Sequence, residues 1–145
     1  MKPLICLVAL ALLLFGCSPG PKSSSGFRLP DGDVEAGKAA FVEAGCLSCH
    51  AVEGVEFEDA TSGALEVRLG GKVRRVRTYG ELVTAIINPS HDIASKAEGA
   101  VTEDGASAMP DYNETMTVQQ MIDMVAFLQS TYEKYLPQDY DPYFP

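Results

Sequence analysis

The sequence predicts a small all-α domain of three or more helices, with one short β-hairpin between the first two. Three observations carry that prediction. Apolar residues recur at helical spacing in three separate stretches. Each stretch opens on a side chain able to cap a helix N-terminus. Strand-like alternation occurs in one place only, around a pair of glycines.

The chain opens on what reads as an address. Met1-Lys2 supplies a short basic start, and residues 4–15 form an unbroken apolar run. A bilayer-spanning helix needs about 20 apolar residues, so this run has the length of an export leader. Leu14-Phe15-Gly16-Cys17 resembles the lipobox of bacterial lipoproteins. That resemblance implies that residues 1–16 are a cleaved signal peptide and that Cys17 becomes a lipid-bearing first residue. An ordinary secretory leader with an incidental Cys17 is the other reading. Residues 17–30 then form the lipidated cysteine and a flexible tether rich in Ser, Pro and Gly.

The folded part is expected over residues 31–133. Its first helix starts at Asp33 as N-cap and runs to Ala44, with Val34, Gly37, Phe41 and Ala44 as one narrow stripe. Gly45 stops it. Residues 65–69 and 72–76 alternate about Gly70-Gly71, the pattern of a hairpin around a diglycine turn. Thr78 and Glu81 form a capping box for the second helix. Leu82, Val83, Ile86 and Ile87 are its apolar face, and Asn88-Pro89 its end. Thr117 and Gln120 open the third helix, which buries Val118, Met121, Ile122, Val125 and Leu128 and reaches about Tyr132. Residues 88–116 show no sustained period, and loops of that length are usually functional or mobile. Residues 134–145 are a proline-interrupted aromatic tail that either frays or packs its rings on the domain.

The chemistry sits just after the first helix, in Cys46-Leu47-Ser48-Cys49-His50. Two thiols at this spacing suit addition to the two vinyl groups on one haem edge, and the adjacent histidine is then held where it can bind iron. A structural zinc site wants four ligands, and once Cys17 goes to lipid His91 is the one other histidine. A thioredoxin-like dithiol wants a βαβ setting, whereas this motif ends a helix that follows a linker. Export also places the chain where unpaired thiols tend to oxidise. One covalently bound haem c is the expected cofactor.

With these residues in view, the chain resembles the class I, monohaem c-type cytochromes over residues 33–131. The resemblance rests on Gly37 and Phe41 in the first helix, the motif from Cys46 to His50, Met109-Pro110 in a late loop, and the final helix with Phe127. It implies a small cytochrome c fold around the haem, in which the first and last helices cross at Gly37, Phe41 and Phe127. It also implies a methionine as sixth iron ligand. Met1 leaves with the leader, Met121 and Met124 suit the last helix, and Met116 with Met121 suits a hydrophobic staple. Met109 remains, aimed by Pro110 and matching the family's Met-Pro pattern. The rival ligand is His91, which would make a bis-histidine haem of lower potential. Many members carry a proline after the motif whose carbonyl accepts the proton of the proximal histidine. Here none occurs between His50 and Pro89, which leaves Gly63-Ala64-Leu65 or Pro89 as candidates for that role.

Eleven basic and 20 acidic residues give a net charge of −9, which excludes a nucleic-acid-binding surface. Five basic residues crowd into one segment, Arg68, Lys72, Arg74, Arg75 and Arg77. Two readings stand for them. One is a solvated hairpin; the other is pairing with haem propionates or docking of an acidic redox partner. The function expected is a one-electron carrier, not an enzyme, anchored on the outer side of the cytoplasmic membrane and exchanging electrons with protein partners. The alternatives are an electron-transfer subunit of a membrane oxidoreductase, or a five-coordinate or bis-histidine haem sensor.

Overall fold

In the computed structural model, residues 26–58, 67–93 and 99–135 are described. The leader, Cys17, the tether up to residue 25, residues 63–65 and the tail beyond residue 135 lie outside them. Asp33 accepts a hydrogen bond from the Ala36 amide (2.9 Å) and starts helix α1, Val34–Glu43. Gly45, at φ +72°, takes the left-handed conformation that ends it. Both expected capping boxes form. Thr78 and Glu81 open α2, Tyr79–Ile87, and Thr117 and Gln120 open α3, Val118–Ser130. Each box satisfies two amide donors that a helix start leaves unpaired.

Helix α1 packs on α3 at Gly37. A Cβ there would run into the Asp123 carbonyl and come within 2.8 Å of the Phe127 Cβ, so only glycine permits this approach. Beside the crossing, the rings of Phe41 and Phe127 lie 5.7 Å apart at 59°, within the range favoured for tilted aromatic pairs. Phe41, Met124 and Val125 are the most deeply buried side chains, and Leu82, Val83 and Ile86 of α2 join the same core. Met116 and Met121 pack against that core. Asp123, 7% exposed, accepts from the Asp33 amide and from Gln119 Nε2, each at 2.9 Å, so the buried carboxylate is paired and ties α3 to the start of α1.

Four expectations need correction. The hairpin does not form. Residues Val67–Val73 make one strand, β2, running straight through the diglycine. It pairs in parallel with β1, His50–Glu53, on one side, and with β3, Tyr132–Lys134, on the other. The register sets His50 opposite Val67 and Gly71 opposite Tyr132. Gly70 and Gly71 have φ of +78° and +74°. They lie where β2 passes from one partner to the other, in a left-handed conformation that favours glycine, and at Gly70 a Cβ would also press on Thr131. The all-α class is accordingly too narrow: among the described residues, three α-helices stand beside a three-stranded parallel sheet. The third helix also ends at Ser130, and Tyr132 opens β3 instead. Val34, Ile87 and Val118 are exposed, because each occupies a helix end where the apolar stripe has run past the core.

Candidate functional site

The left-handed Gly45 turns the chain out of α1 into a 3₁₀ turn, Cys46–Ser48, closed by the Cys49 amide donating to the Cys46 carbonyl at 3.2 Å. Cys46 is buried and Cys49 half-buried, and both are free thiols. Burial pushes the Cys46 thiol up to about 11, against an opposing pull from its own backbone and the nearby Tyr112 hydroxyl. His50, the next residue, occupies the first position of β1.

Two hydrogen bonds join this motif to β2. The Val67 amide donates to the Cys49 carbonyl at 2.8 Å, and His50 Nδ1 lies 3.1 Å from the Val67 carbonyl oxygen. A carbonyl only accepts, so Nδ1 carries the proton and Nε2 keeps its lone pair. Burial holds the His50 pKa below its ordinary value, with the Val67 bond pulling the other way, and the neutral ring is the form able to bind a metal. The acceptor sought at Gly63-Ala64-Leu65 or at Pro89 is thus the Val67 carbonyl. A backbone carbonyl recruited by strand pairing leaves no residue signature in the sequence.

Cys46, Cys49, His50 and Met109 all border a single cavity, whose wall includes Phe41, Leu82, Ile86, Met124 and Leu128. Met109 and Pro110 arrive from the long loop between α2 and α3. Tyr112 follows them, and its hydroxyl donates to the Ala44 carbonyl at 3.3 Å, latching that loop to the end of α1. His91 is exposed and not on the cavity wall, although Pro89 and Asp92 on either side of it are. Phe57, unremarked in the sequence, stacks on Phe41 at 6.0 Å and 25°, and Lys38 Nζ sits 5.2 Å from its centroid. Phe41 in turn lies 6.4 Å from the His50 ring.

The basic segment is dispersed by the single strand. Arg68 and Lys72 lie on β2, and Arg74 to Arg77 run from its end to the cap of α2. Several of its charges face this chain's own carboxylates. Arg75 pairs with Glu81 at 2.7 Å, while Lys72 with Glu133 and Arg77 with Asp92 meet at 4.0 Å. Exposed pairs of this kind contribute little to stability, but they leave less positive charge for an acidic partner. Arg77 and Asp92 both border the cavity.

Among the described residues no helix is long and apolar enough to cross a membrane. No curated protein and no solved structure gives a significant match to the chain. A family model described as Cytochrome c matches residues 34–132, a span that takes in α1, the cysteine–histidine motif, the Met109 loop and α3. A match over that much of the chain, with the motif and the helix crossing inside it, means that the protein belongs to the cytochrome c family, whose members carry covalent haem c and transfer electrons.

Proposed function

We propose that this chain is a class I cytochrome c with one haem, and that it works as a one-electron carrier in which His50 and Met109 would hold the iron. The observation that carries the reading is the convergence of Cys46, Cys49, His50 and Met109 on one cavity from stretches far apart in sequence. The donor set suits haem c. Two thiols stand three positions apart for thioether bonds, a neutral imidazole has its Nδ1 proton engaged, and a thioether sulfur is supplied from another loop. The sequence holds one Cys-x-x-Cys-His motif, which supports a single haem. When bound, haem c supplies an iron that accepts and releases one electron.

The chain's own residues supply the rest. The Val67 carbonyl holds the His50 ring in one tautomer and orientation. The apolar wall excludes water, which favours a small reorganisation on electron transfer and tunes the potential. Two protein ligands leave the metal no position for a substrate, in keeping with a carrier and not an enzyme. Cys17 as a lipid anchor places the domain on the outer side of the cytoplasmic membrane, facing the periplasm or outer surface, with redox proteins as partners.

The test is spectroscopic. The wild-type holoprotein is expected to show six-coordinate low-spin iron, a methionine–iron charge-transfer band when ferric, and no uptake of carbon monoxide when ferrous. Met109→Ala is expected to lose the band and to bind carbon monoxide. Ready carbon monoxide binding by the wild type, or a band retained in Met109→Ala, overturns the assignment.

A further inference from the structure

Met109 belongs to no helix or strand, so its place on the cavity wall depends on how its loop is held. Upstream, the chain folds back on itself. The Thr102 amide donates to the Ala106 carbonyl and the Ala108 amide to the Ala100 carbonyl, each at 2.9 Å, and Val101 bridges antiparallel to Ser107. At the ligand itself, the Met109 amide donates to Ser107 Oγ at 3.2 Å. The Ser107 amide donates in turn to Ser90 Oγ at 3.0 Å. Ser90 sits in the turn that leaves α2, closed by the His91 amide donating to the Asn88 carbonyl at 2.9 Å. Downstream, Asn113 Nδ2 donates to the Ile87 carbonyl at 2.8 Å.

The exit of α2 therefore grips the Met109 loop on both sides, through Ser90 before the methionine and through Ile87 after it. One grip ends on a backbone carbonyl. The other passes through two serine hydroxyls, and replacing Ser107 by a residue without one leaves the part-buried Met109 amide without that acceptor.

We propose that Ser107, itself held by Ser90, is a positioning residue for Met109, its hydroxyl oxygen keeping the methionine backbone where the sulfur meets the cavity. This rests on Met109 being the axial ligand. A ligand competing for the same coordination position reads the effect directly, because any loosening of Met109 lowers the concentration at which the competitor replaces it.

The experiment uses the full-length ferric holoprotein, titrated with imidazole while the methionine–iron charge-transfer band is followed. A hydrogen bond of ordinary net strength corresponds to roughly a 2- to 12-fold change in an equilibrium constant. Ser107→Ala is expected to lose the band at about fivefold lower imidazole than the wild type. Ser107→Thr, which keeps the hydroxyl, is expected to titrate like the wild type, and Ser90→Ala to shift in the same direction as Ser107→Ala by a smaller factor. The proposal is overturned if Ser107→Ala titrates with the wild type, if Ser107→Thr behaves like the alanine variant, or if Ser107→Ala melts earlier with its imidazole midpoint unchanged. Should Ser107→Ala fail to yield holoprotein, Ser90→Ala decides, and an unmoved midpoint there overturns it. Met109→Ala separates the two questions: a band that survives this change discards the ligand, whereas its loss leaves the serine result to stand or fall alone.

Discussion

The two walls of the cavity are built on different principles. On the side of the cysteines, main-chain structure holds the motif from Cys46 to His50: the end of α1, a 3₁₀ turn and the first pair of a parallel ladder. On the side of Met109, the proposed ligand is a single residue, and its loop hangs on bonds from Ser107, Ser90, Tyr112 and Asn113. Backbone pairing survives most substitutions, whereas a side-chain bond is lost with its side chain. The histidine wall should therefore be stiff and the methionine wall adjustable, within one small domain.

The largest effect should come from breaking the stiff wall at its chemistry. Replacing both Cys46 and Cys49 by Ala is expected to abolish covalent haem, read as complete loss of haem stain on a denaturing gel. Haem that stays attached sinks the assignment of the motif. Next comes the scaffold behind it. Gly37→Val drives a branched side chain into the Asp123 carbonyl and Phe127, and overpacking of this kind costs about 3 kcal/mol or more where backbone cannot yield. Denaturant unfolding measures it, and a loss under about 1 kcal/mol would show that the helices can separate.

The adjustable wall should respond more gently. Tyr112→Phe removes the bond to the Ala44 carbonyl, expected to cost about 1 kcal/mol in unfolding free energy. The comparison is sharpened if the same variant loses the charge-transfer band at lower imidazole, and broken if only stability moves.

The smallest effect is in acid. Arg75 beside Glu81, with the Thr78 amide, lowers the Glu81 carboxyl from its ordinary 4.5 to about 2. A carboxylate lowered in the folded state contributes stability above its unfolded value and loses it as pH falls through the folded one. Its contribution is therefore full above about pH 4.5 and fades towards pH 2. Glu81→Gln keeps a capping oxygen but does not titrate, so its melting temperature should fall less than the wild type's between those limits. Parallel curves would show that this pair, one-third exposed on the glutamate side, contributes nothing.

What the sequence made legible follows the same division. The caps at Asp33, Thr78 and Thr117, the stop at Gly45 and the motif at residues 46–50 are patterns a few residues long, and all are found where expected. The crossing at Gly37, Phe41 and Phe127 was legible through resemblance and is present. The sheet was not legible. Alternation around Gly70-Gly71 shows that a strand forms but carries no information on its partners, and these turn out to be distant and parallel. With the sheet unread, the Val67 carbonyl could not be found. Ser107 was hidden for a related reason: a hydroxyl that serves a neighbour's amide looks in sequence like any serine in a loop.

The strand β2 has a further consequence, for the order of events as the chain matures. Its partners lie on opposite sides of it in sequence, β1 directly after the motif and β3 at the far end of the domain, so the three-stranded sheet cannot be complete before α3 has been made. Pairings of such long range close late in folding, because chain entropy must be spent before they form. The Val67 carbonyl that orients His50 thus sits in a strand whose second edge is covered only when Tyr132–Lys134 arrives.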